Sequence, residues 1–292
     1  MRKFLLMIAL CVNMTAMFAD EPLARFGLLA DPQYADAESV CNRNYREGKN
    51  LIKGTLELFN QEERLDFVCN LGDIVDGRLK GELEEVLEVF KLSKFPVKHA
   101  IGNHDMRLQS KEDLQKAFGE AASNYQFKAG GVRFLVLHTL EASLMQSKDT
   151  PERAEADAYL LANRERRLED FNGMMSATGM KWLEHQLAEA DALGEPVIVM
   201  THLPIYDKAA VSACCVWNDD EMLRLVDAHP CLKAWFAGHH HHGGIAVRKG
   251  VLHKTVKGLC ELKDPTGIIV SVFQNRIEIK GLGAETDFTI QY

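Results

Sequence analysis

Seven side chains in this sequence belong to types that bind divalent metal ions. They are carboxylates, amides and imidazoles, namely Asp31, Gln33, Asp73, Asn103, His202, His239 and His241. This donor set suits manganese, iron or zinc in a reactive site better than it suits a cysteine-based structural zinc site. Seven donors are too many for one ion, and a carboxylate can bridge two. Because two ions roughly 3.5–4 Å apart activate a shared water and bind a phosphoryl group, the pattern indicates hydrolysis of a phosphoester or phosphoanhydride.

Five apolar segments of strand length must position these donors, because polar residues follow each of them directly. The segments are residues 26–30, 65–71, 97–101, 197–201 and 234–237. In open α/β sheets, ligands bind beyond the carboxyl ends of the strands. We therefore expect the donors to meet at one edge of the fold, with Asp73 in the middle. Helical periodicity over residues 44–63, between the first two segments, predicts a parallel crossover.

The second half of the chain has a different pattern. Gly130-Gly131 separates two short apolar runs and predicts a hairpin. Residues 245–279 have the pattern of antiparallel strands that complete a sheet. The chain is therefore expected to form a mixed sheet or a second sheet in addition to the parallel crossover units.

Composition limits the classes of partner. The chain has 292 residues, of which 47% are hydrophobic and 26% charged, and its net charge is −8. The sequence contains no cluster of lysine and arginine residues that could bind along a phosphate backbone. The composition therefore argues against nucleic acid as a partner. A small phosphorylated substrate bound through metal ions remains compatible with the charge.

The first 19 residues differ from the rest of the chain. Arg2 and Lys3 precede an apolar stretch over residues 4–12 that is too short to span a bilayer, and small residues follow. This order is typical of a secretory signal peptide. It predicts a periplasmic or secreted protein, with residues 20–292 as a single catalytic domain and no membrane attachment after signal removal. If the segment is not a signal, a cytoplasmic protein is expected.

Residues 140–177 form the least periodic stretch of the chain. The stretch is charged, and connections of this length are uncommon unless they form lids or binding loops. Two interpretations remain open, a cap or lid insertion that faces the substrate and a solvated helical insertion. The sequence does not fix the oligomeric state.

The order of the motifs resembles the calcineurin-like metallophosphoesterase superfamily. Its pattern is Asp-x-His, Gly-Asp, Gly-Asn-His-Glu/Asp, His and Gly-His-x-His, and Gln33 replaces the first histidine. Within the superfamily, Asp-Pro-Gln-Tyr-Ala-Asp at residues 31–36 is similar to the branch of manganese-dependent ADP-ribose/CDP-alcohol diphosphatases. Residues 71–77, residues 43–46 and the Gly-Gly after the histidine motif resemble that branch too.

The resemblance implies an α/β fold with two facing mixed β-sheets flanked by helices, the metallophosphoesterase sandwich. It also implies two divalent ions, manganese or alternatively iron or zinc, with Asp73 as the bridge. One ion would be held by Asp31, Gln33, Asp73 and His241, and the other by Asp73, Asn103, His202 and His239. The attacking group would be a metal-bridging hydroxide.

The resemblance assigns further roles near the metal ions. His104 would contact the phosphate and stabilise charge or protonate the leaving oxygen, and Asp105 would orient His104. Arg43 or Arg46 would bind the phosphate or the base of the substrate, and the alternative is that these are surface arginines without a role in binding. The implied substrate is a nucleoside diphosphate linked to a small alcohol or a sugar, as in CDP-alcohols or ADP-ribose.

Two alternative functions remain open. One is a broad phosphodiesterase or phosphomonoesterase with the same metal centre. The other is a catalytically silent scaffold that only binds metal. His104 argues against the scaffold, because a protein that only binds metal has no need of this side chain.

Overall fold

The computed structural model describes residues 21–292. The predicted signal peptide, residues 1–19, lies outside the described residues. Within residues 21–292, no helix is both long enough and apolar enough to cross a membrane.

Secondary structure over residues 21–292 consists mainly of short strands and amphipathic helices. The strands are β1 (Ala24–Leu29), β2 (Phe67–Asn70), β3 (Val97–His99), β4 (Tyr125–Ala129), β5 (Val132–Leu137), β6 (Ala142–Ser143), β7 (Gly173–Met174), β8 (Val197–Thr201), β9 (Leu232–Ala237), β10 (Gly244–Arg248), β11 (Val251–Thr255), β12 (Gly267–Val272), β13 (Arg276–Leu282) and β14 (Phe288–Gln291). The α-helices are α1 (Gly48–Phe59), α2 (Glu82–Phe90), α3 (Lys111–Phe118), α4 (Pro151–Ala162), α5 (Ala177–Leu193) and α6 (Asp219–Val226).

The strands form two six-stranded mixed sheets. The first has the order β14-β13-β12-β1-β2-β3, and the second has the order β10-β11-β9-β8-β5-β4. Strands β1, β2 and β3 are parallel, as are β5, β8, β9 and β11. The remaining pairs are antiparallel, including the predicted hairpin of β4 and β5. The predicted fold class, two mixed sheets flanked by helices, is confirmed.

Aromatic side chains fill the space between the two sheets. The ring of Phe26 on β1 stacks on Phe67 of β2 with centroids 5.0 Å apart, and it meets Phe236 of β9 edge-on at 5.9 Å. Phe134 of β5 meets the Phe67 ring edge-on at 4.8 Å. Rings from both sheets thus interlock, and such contacts add about 0.5–1.5 kcal/mol per pair beyond the burial of apolar area. This packing fixes the sheets relative to each other and aligns the ends of their strands.

Helices cover the outer faces of the sheets. In α1 the apolar side chains of Leu51, Ile52, Leu56 and Phe59 are all buried. Gly27 on β1 permits the close approach of this helix, because a Cβ there would lie 3.1 Å from the Phe59 ring. The predicted crossover between β1 and β2 is therefore present, with α1 as its helix.

The poorly periodic segment, residues 140–177, has secondary structure of its own. It contains α4 and a two-stranded sheet of β6 and β7. The Tyr159 hydroxyl donates a hydrogen bond to the Trp217 carbonyl oxygen at 2.8 Å, which ties α4 to the residues that precede α6. The segment therefore packs on the rest of the fold through α4.

Candidate active site

The predicted metal donors meet where the two sheets come together. His202, after β8, contacts the Leu71 carbonyl oxygen, after β2, through Nδ1 at 2.9 Å. The backbone N–H of His239, after β9, donates to Oδ2 of Asp31, after β1, at 2.9 Å. Strand ends of one sheet thus bond directly to strand ends of the other, and the structure brings all seven predicted donors together.

Unusual backbone geometry turns four of these residues toward the site. Asp31, Gln33, Asp73 and His239 have positive φ angles of 51°, 44°, 54° and 67°. Such left-handed conformations of residues other than glycine cost about 1–3 kcal/mol each and are concentrated at functional sites. Gly102 allows the same crowding, because a Cβ there would lie 2.1 Å from Oδ1 of Asp73.

The first group of donors surrounds Gln33. Its Nε2 lies 3.1 Å from Oδ2 of Asp73 and 3.1 Å from Nε2 of His241. Nε2 of His241 is also 3.6 Å from Oδ1 of Asp31. These are the four residues that the resemblance assigns to one ion.

The second group of donors surrounds His202. Its Nε2 lies 2.9 Å from Oδ1 of Asn103, 3.2 Å from Nδ1 of His239 and 3.4 Å from Oδ2 of Asp73. The donor atoms of Asp73, His202 and His239 all lie within 4.8 Å of one another. Asp73 contacts both groups, as a bridging carboxylate would.

Unpaired donor atoms indicate that this site fits metal cations. Oε1 of Gln33 is buried and has no hydrogen-bond partner. Nδ1 of His202 faces the Leu71 carbonyl oxygen, which only accepts, so the Nε2 lone pair of a neutral His202 points at other acceptors. Buried lone pairs that face one another are costly unless a cation lies among them. The residues present therefore suit the divalent ions that the sequence predicts.

The charges of the buried side chains in the site also favour a cation beside Asp73. Burial alone would raise the pKa of Asp73, but the nearby His202 and His104 rings hold it well below its ordinary value. Burial would lower the pKa of His202, whereas the Asp73 charge raises it to about 9. Both shifts have the same cause, because the negative charge of Asp73 favours positive charge beside it, and this charge also attracts a metal ion into the position.

His104 lies beside the two donor groups and is oriented by Asp76. Nδ1 of His104 contacts Oδ1 of Asp76 at 2.7 Å, and the backbone N–H of His104 donates to Oδ1 of Asp73 at 2.7 Å. The prediction that Asp105 orients this ring is wrong. The Asp105 carboxylate accepts the backbone N–H groups of Asp73, Gly102 and Val75 instead, and so it holds the metal-binding loops together.

The two predicted substrate-binding arginines differ in position. Arg43 is half-buried and lines the cleft above the donor groups. Arg46 is absent from the lining of this cleft and pairs with Asp36 and Glu38, each at 2.7 Å. We correct the prediction for Arg46, because two surface carboxylates already neutralise its charge.

The cleft has a volume of about 370 Å³, and histidines form much of its wall. In the run of four histidines, His239 and His241 turn toward the metal donors. The rings of His240 and His242 stack on each other 5.7 Å apart and also line the cleft. The run is therefore an ordered loop, which argues against a nonspecific metal-binding tract.

Several residues of the site were missed at the level of the sequence. Asp76 lies only three positions after Asp73, and its spacing alone gave no reason to select it. Arg107 lines the cleft, with Nη2 3.3 Å from Nε2 of His104. The Glu261 carboxylate contacts Nδ1 of His241 at 2.7 Å, an arrangement that orients a metal-binding imidazole. Asn172 comes from the poorly periodic segment and contacts Nε2 of His239 at 2.9 Å.

The fold consists of two facing mixed sheets, and carboxylate, amide and imidazole side chains meet at their common edge. This combination defines a metal-dependent hydrolase of phosphate compounds. The chain belongs to the calcineurin-like phosphoesterase family, since the sequence model of that family matches residues 24–243. It is therefore a hydrolase that acts on phosphoester or phosphoanhydride bonds.

Named relatives resemble the chain over nearly its whole length. The manganese-dependent ADP-ribose/CDP-alcohol diphosphatase of Mus musculus is 30% identical over 94% of this chain and 95% of its own length. The protein of the same name from Oryza sativa subsp. japonica is 29% identical over 89% and 92%. A crystal structure of a dimetal phosphatase from Danio rerio superposes with a TM-score of 0.84 at 26% identity, covering 93% of this chain and 100% of that one. The predicted family resemblance is confirmed.

Proposed function

We propose that this protein is a manganese-dependent diphosphatase. Its substrates would be nucleoside diphosphate-linked compounds of the ADP-ribose or CDP-alcohol type, cleaved at the phosphoanhydride bond. The observation that carries the proposal is the pair of donor groups that share Asp73 below a cleft lined by Arg43 and Arg107. Two guanidinium groups beside two metal positions suit a substrate with two linked phosphoryl groups. The names of the mouse and rice relatives support this substrate class.

Each group of side chains has a distinct task in this reaction. Two manganese ions held by the seven donors would supply Lewis-acid activation of water and of the phosphoryl group. His104 lies next to the Asp73 bridge and can donate a proton or stabilise charge at the bridging oxygen of the substrate. Asp76 accepts the Nδ1 proton of His104, so a proton given to the substrate would have to come from Nε2 of the imidazolium form.

Metal removal and replacement tests the proposal. Protein stripped of metal is expected to hydrolyse neither ADP-ribose nor CDP-choline, and manganese at about two ions per chain is expected to restore activity. Chromatography should then detect a nucleoside monophosphate and a second phosphomonoester, the products of phosphoanhydride cleavage. Bis(p-nitrophenyl) phosphate serves as the comparison substrate. Faster turnover of this diester than of both nucleotides would replace the proposal with the broad phosphodiesterase; no turnover of any of them would favour the metal-binding scaffold.

Substitution of Arg107 with alanine tests whether this residue binds a phosphoryl group. Nη1 of Arg107 donates to the Asp76 carbonyl oxygen at 3.0 Å and pairs with Oδ1 of Asp76 at 3.2 Å, yet 42% of the Arg107 side-chain surface remains exposed and the residue lines the cleft. Loss of a hydrogen bond to a charged group costs about 1.5–3 kcal/mol, which corresponds to about a 10–150-fold lower kcat/KM for ADP-ribose. Arg46→Ala is the matched control and should change kcat/KM less than twofold. Equal effects of the two substitutions would exclude this role.

We also propose that the protein is exported. The basic residues and short apolar stretch of the first 19 residues support this localisation. Expression of the full-length chain with cell fractionation and N-terminal sequencing tests it, and an uncleaved cytoplasmic product would contradict it.

A further inference from the structure

Asn172 is buried between the cleft and the loop that precedes α6. Its side chain is 1% exposed, and its Nδ2 lies 2.8 Å from the Ala213 carbonyl oxygen and 3.1 Å from the Cys215 carbonyl oxygen. Carbonyl oxygens only accept hydrogen bonds, so these two contacts fix which end of the amide is the NH2 group. Oδ1 of Asn172 must therefore face the opposite way, toward the site.

The Asn172 side-chain oxygen determines which ring nitrogen of His239 carries the proton. Oδ1 of Asn172 lies 2.9 Å from Nε2 of His239, and an amide oxygen can only accept there. Nε2 must therefore carry a proton, which leaves the lone pair of a neutral imidazole on Nδ1. Nδ1 faces Nε2 of His202 at 3.2 Å, inside the second donor group.

We propose that Asn172 is a positioning residue that fixes His239 in the tautomer needed to bind one of the two metal ions. The proposal rests on the proposed function, because it assumes that the second donor group holds an ion. It gives residues 140–177 a task, since this segment supplies Asn172. Hydrogen bonds from outer residues to a metal-binding histidine typically change metal affinity by about 10–100-fold.

Two substitutions separate this role from a purely structural one. Asn172→Ala removes both the acceptor for His239 and the donor for the loop at 213–215. Asn172→Asp keeps an oxygen that accepts from Nε2 of His239 but loses the two bonds to carbonyl oxygens and places a negative charge beside them. If Asn172 only ties the loop to the fold, the aspartate should be at least as harmful as the alanine. If it positions His239, the aspartate should restore metal binding.

Manganese binding to the full-length chain provides the measurement. Calorimetric titration of metal-stripped protein should detect two ions in the wild type, and Asn172→Ala should weaken one of them about 10–100-fold. Asn172→Asp should bind both ions within threefold of the wild-type affinity. The matched control is Asn60→Ala, since Asn60 also bonds two loop groups, the Leu92 carbonyl oxygen and the Lys94 N–H, but lies outside the cleft.

The other outcomes would overturn the proposal. Wild-type affinity for both ions in Asn172→Ala would do so, and so would an equal loss in the alanine and aspartate variants. Should the alanine variant fail to fold in circular dichroism, Asn172→Asp decides, since a tenfold loss there contradicts the role. A wild type that binds two ions but hydrolyses neither nucleotide overturns the proposed function only. Full hydrolysis with unaltered binding in Asn172→Ala overturns this inference only.

Discussion

Asn in place of Asp73 is expected to abolish most of the activity and to remove at least one metal ion. Asp73 is fully buried, and its two oxygens serve both donor groups and the His104 backbone. Asparagine preserves the volume but removes the charge and replaces one acceptor oxygen with a donor. We expect kcat/KM for ADP-ribose to fall on the order of 10³-fold or more, as when a central member of a catalytic unit is lost.

Three measurements on the Asp73→Asn variant check this expectation. Steady-state hydrolysis with manganese gives the loss of activity, metal analysis after dialysis gives the number of bound ions, and far-UV circular dichroism establishes that the fold persists. Asp191→Asn is a suitable control, because Asp191 also pairs with an imidazole, that of His229 at 2.7 Å, but lies on α5 outside the cleft. A folded Asp73→Asn variant with two ions and activity within tenfold of wild type would refute the bridging role.

Alanine in place of His104 is expected to lower kcat about 10²–10⁴-fold, the usual contribution of a general acid. Both ions should remain bound, because His104 belongs to neither donor group. Activity and metal content thus respond separately, in contrast to the Asp73 variant. Asp76→Asn should cause a smaller loss of the same kind, since it removes the carboxylate that orients His104.

Substrates whose leaving groups differ in basicity distinguish proton donation by His104 from simple binding of the phosphoryl group. Phenolate is a much more basic leaving group than p-nitrophenolate, so it benefits more from protonation by an acid. We therefore expect His104→Ala to slow the phenyl ester of thymidine 5′-phosphate more than the p-nitrophenyl ester. Equal losses for the two esters would mean that His104 binds the phosphoryl group without transferring a proton. His229→Ala, which disrupts an imidazole–carboxylate pair outside the cleft, should leave both rates unchanged.

The sequence was informative wherever the chemistry depends on residues directly after a strand. Asp31, Asp73 and His202 each follow an apolar run, and the carboxyl ends of parallel strands meet at one edge. Local order along the chain was therefore enough to predict the metal donors and the edge of each sheet at which they lie, whereas the packing of the two sheets brings these edges together. Helical periodicity over residues 44–63 predicted the crossover over α1, and Gly130-Gly131 predicted the hairpin of β4 and β5.

The sequence was less informative where partners are chosen by packing across the fold. It gave His104 the wrong partner, because Asp105 is adjacent in the chain whereas Asp76 is adjacent in space. Asp105 follows His104 directly, but its carboxylate turns back to the backbone N–H groups of Asp73 and Gly102. The direction of a side chain in a tight loop depends on which backbone N–H groups lack an acceptor. The loops after neighbouring strands bring these N–H groups into place, so the sequence next to the side chain does not reveal them.

What the sequence determined by itself is the identity of the donors and the class of chemistry, because donor type and position after a strand are local properties of the chain. Only the tertiary structure decided how the donors are oriented. Asn172 and Glu261 reach His239 and His241 from segments 67 and 20 residues away. Hydrogen bonds across such distances arise when sheets and loops pack together, so no spacing within the chain encodes them.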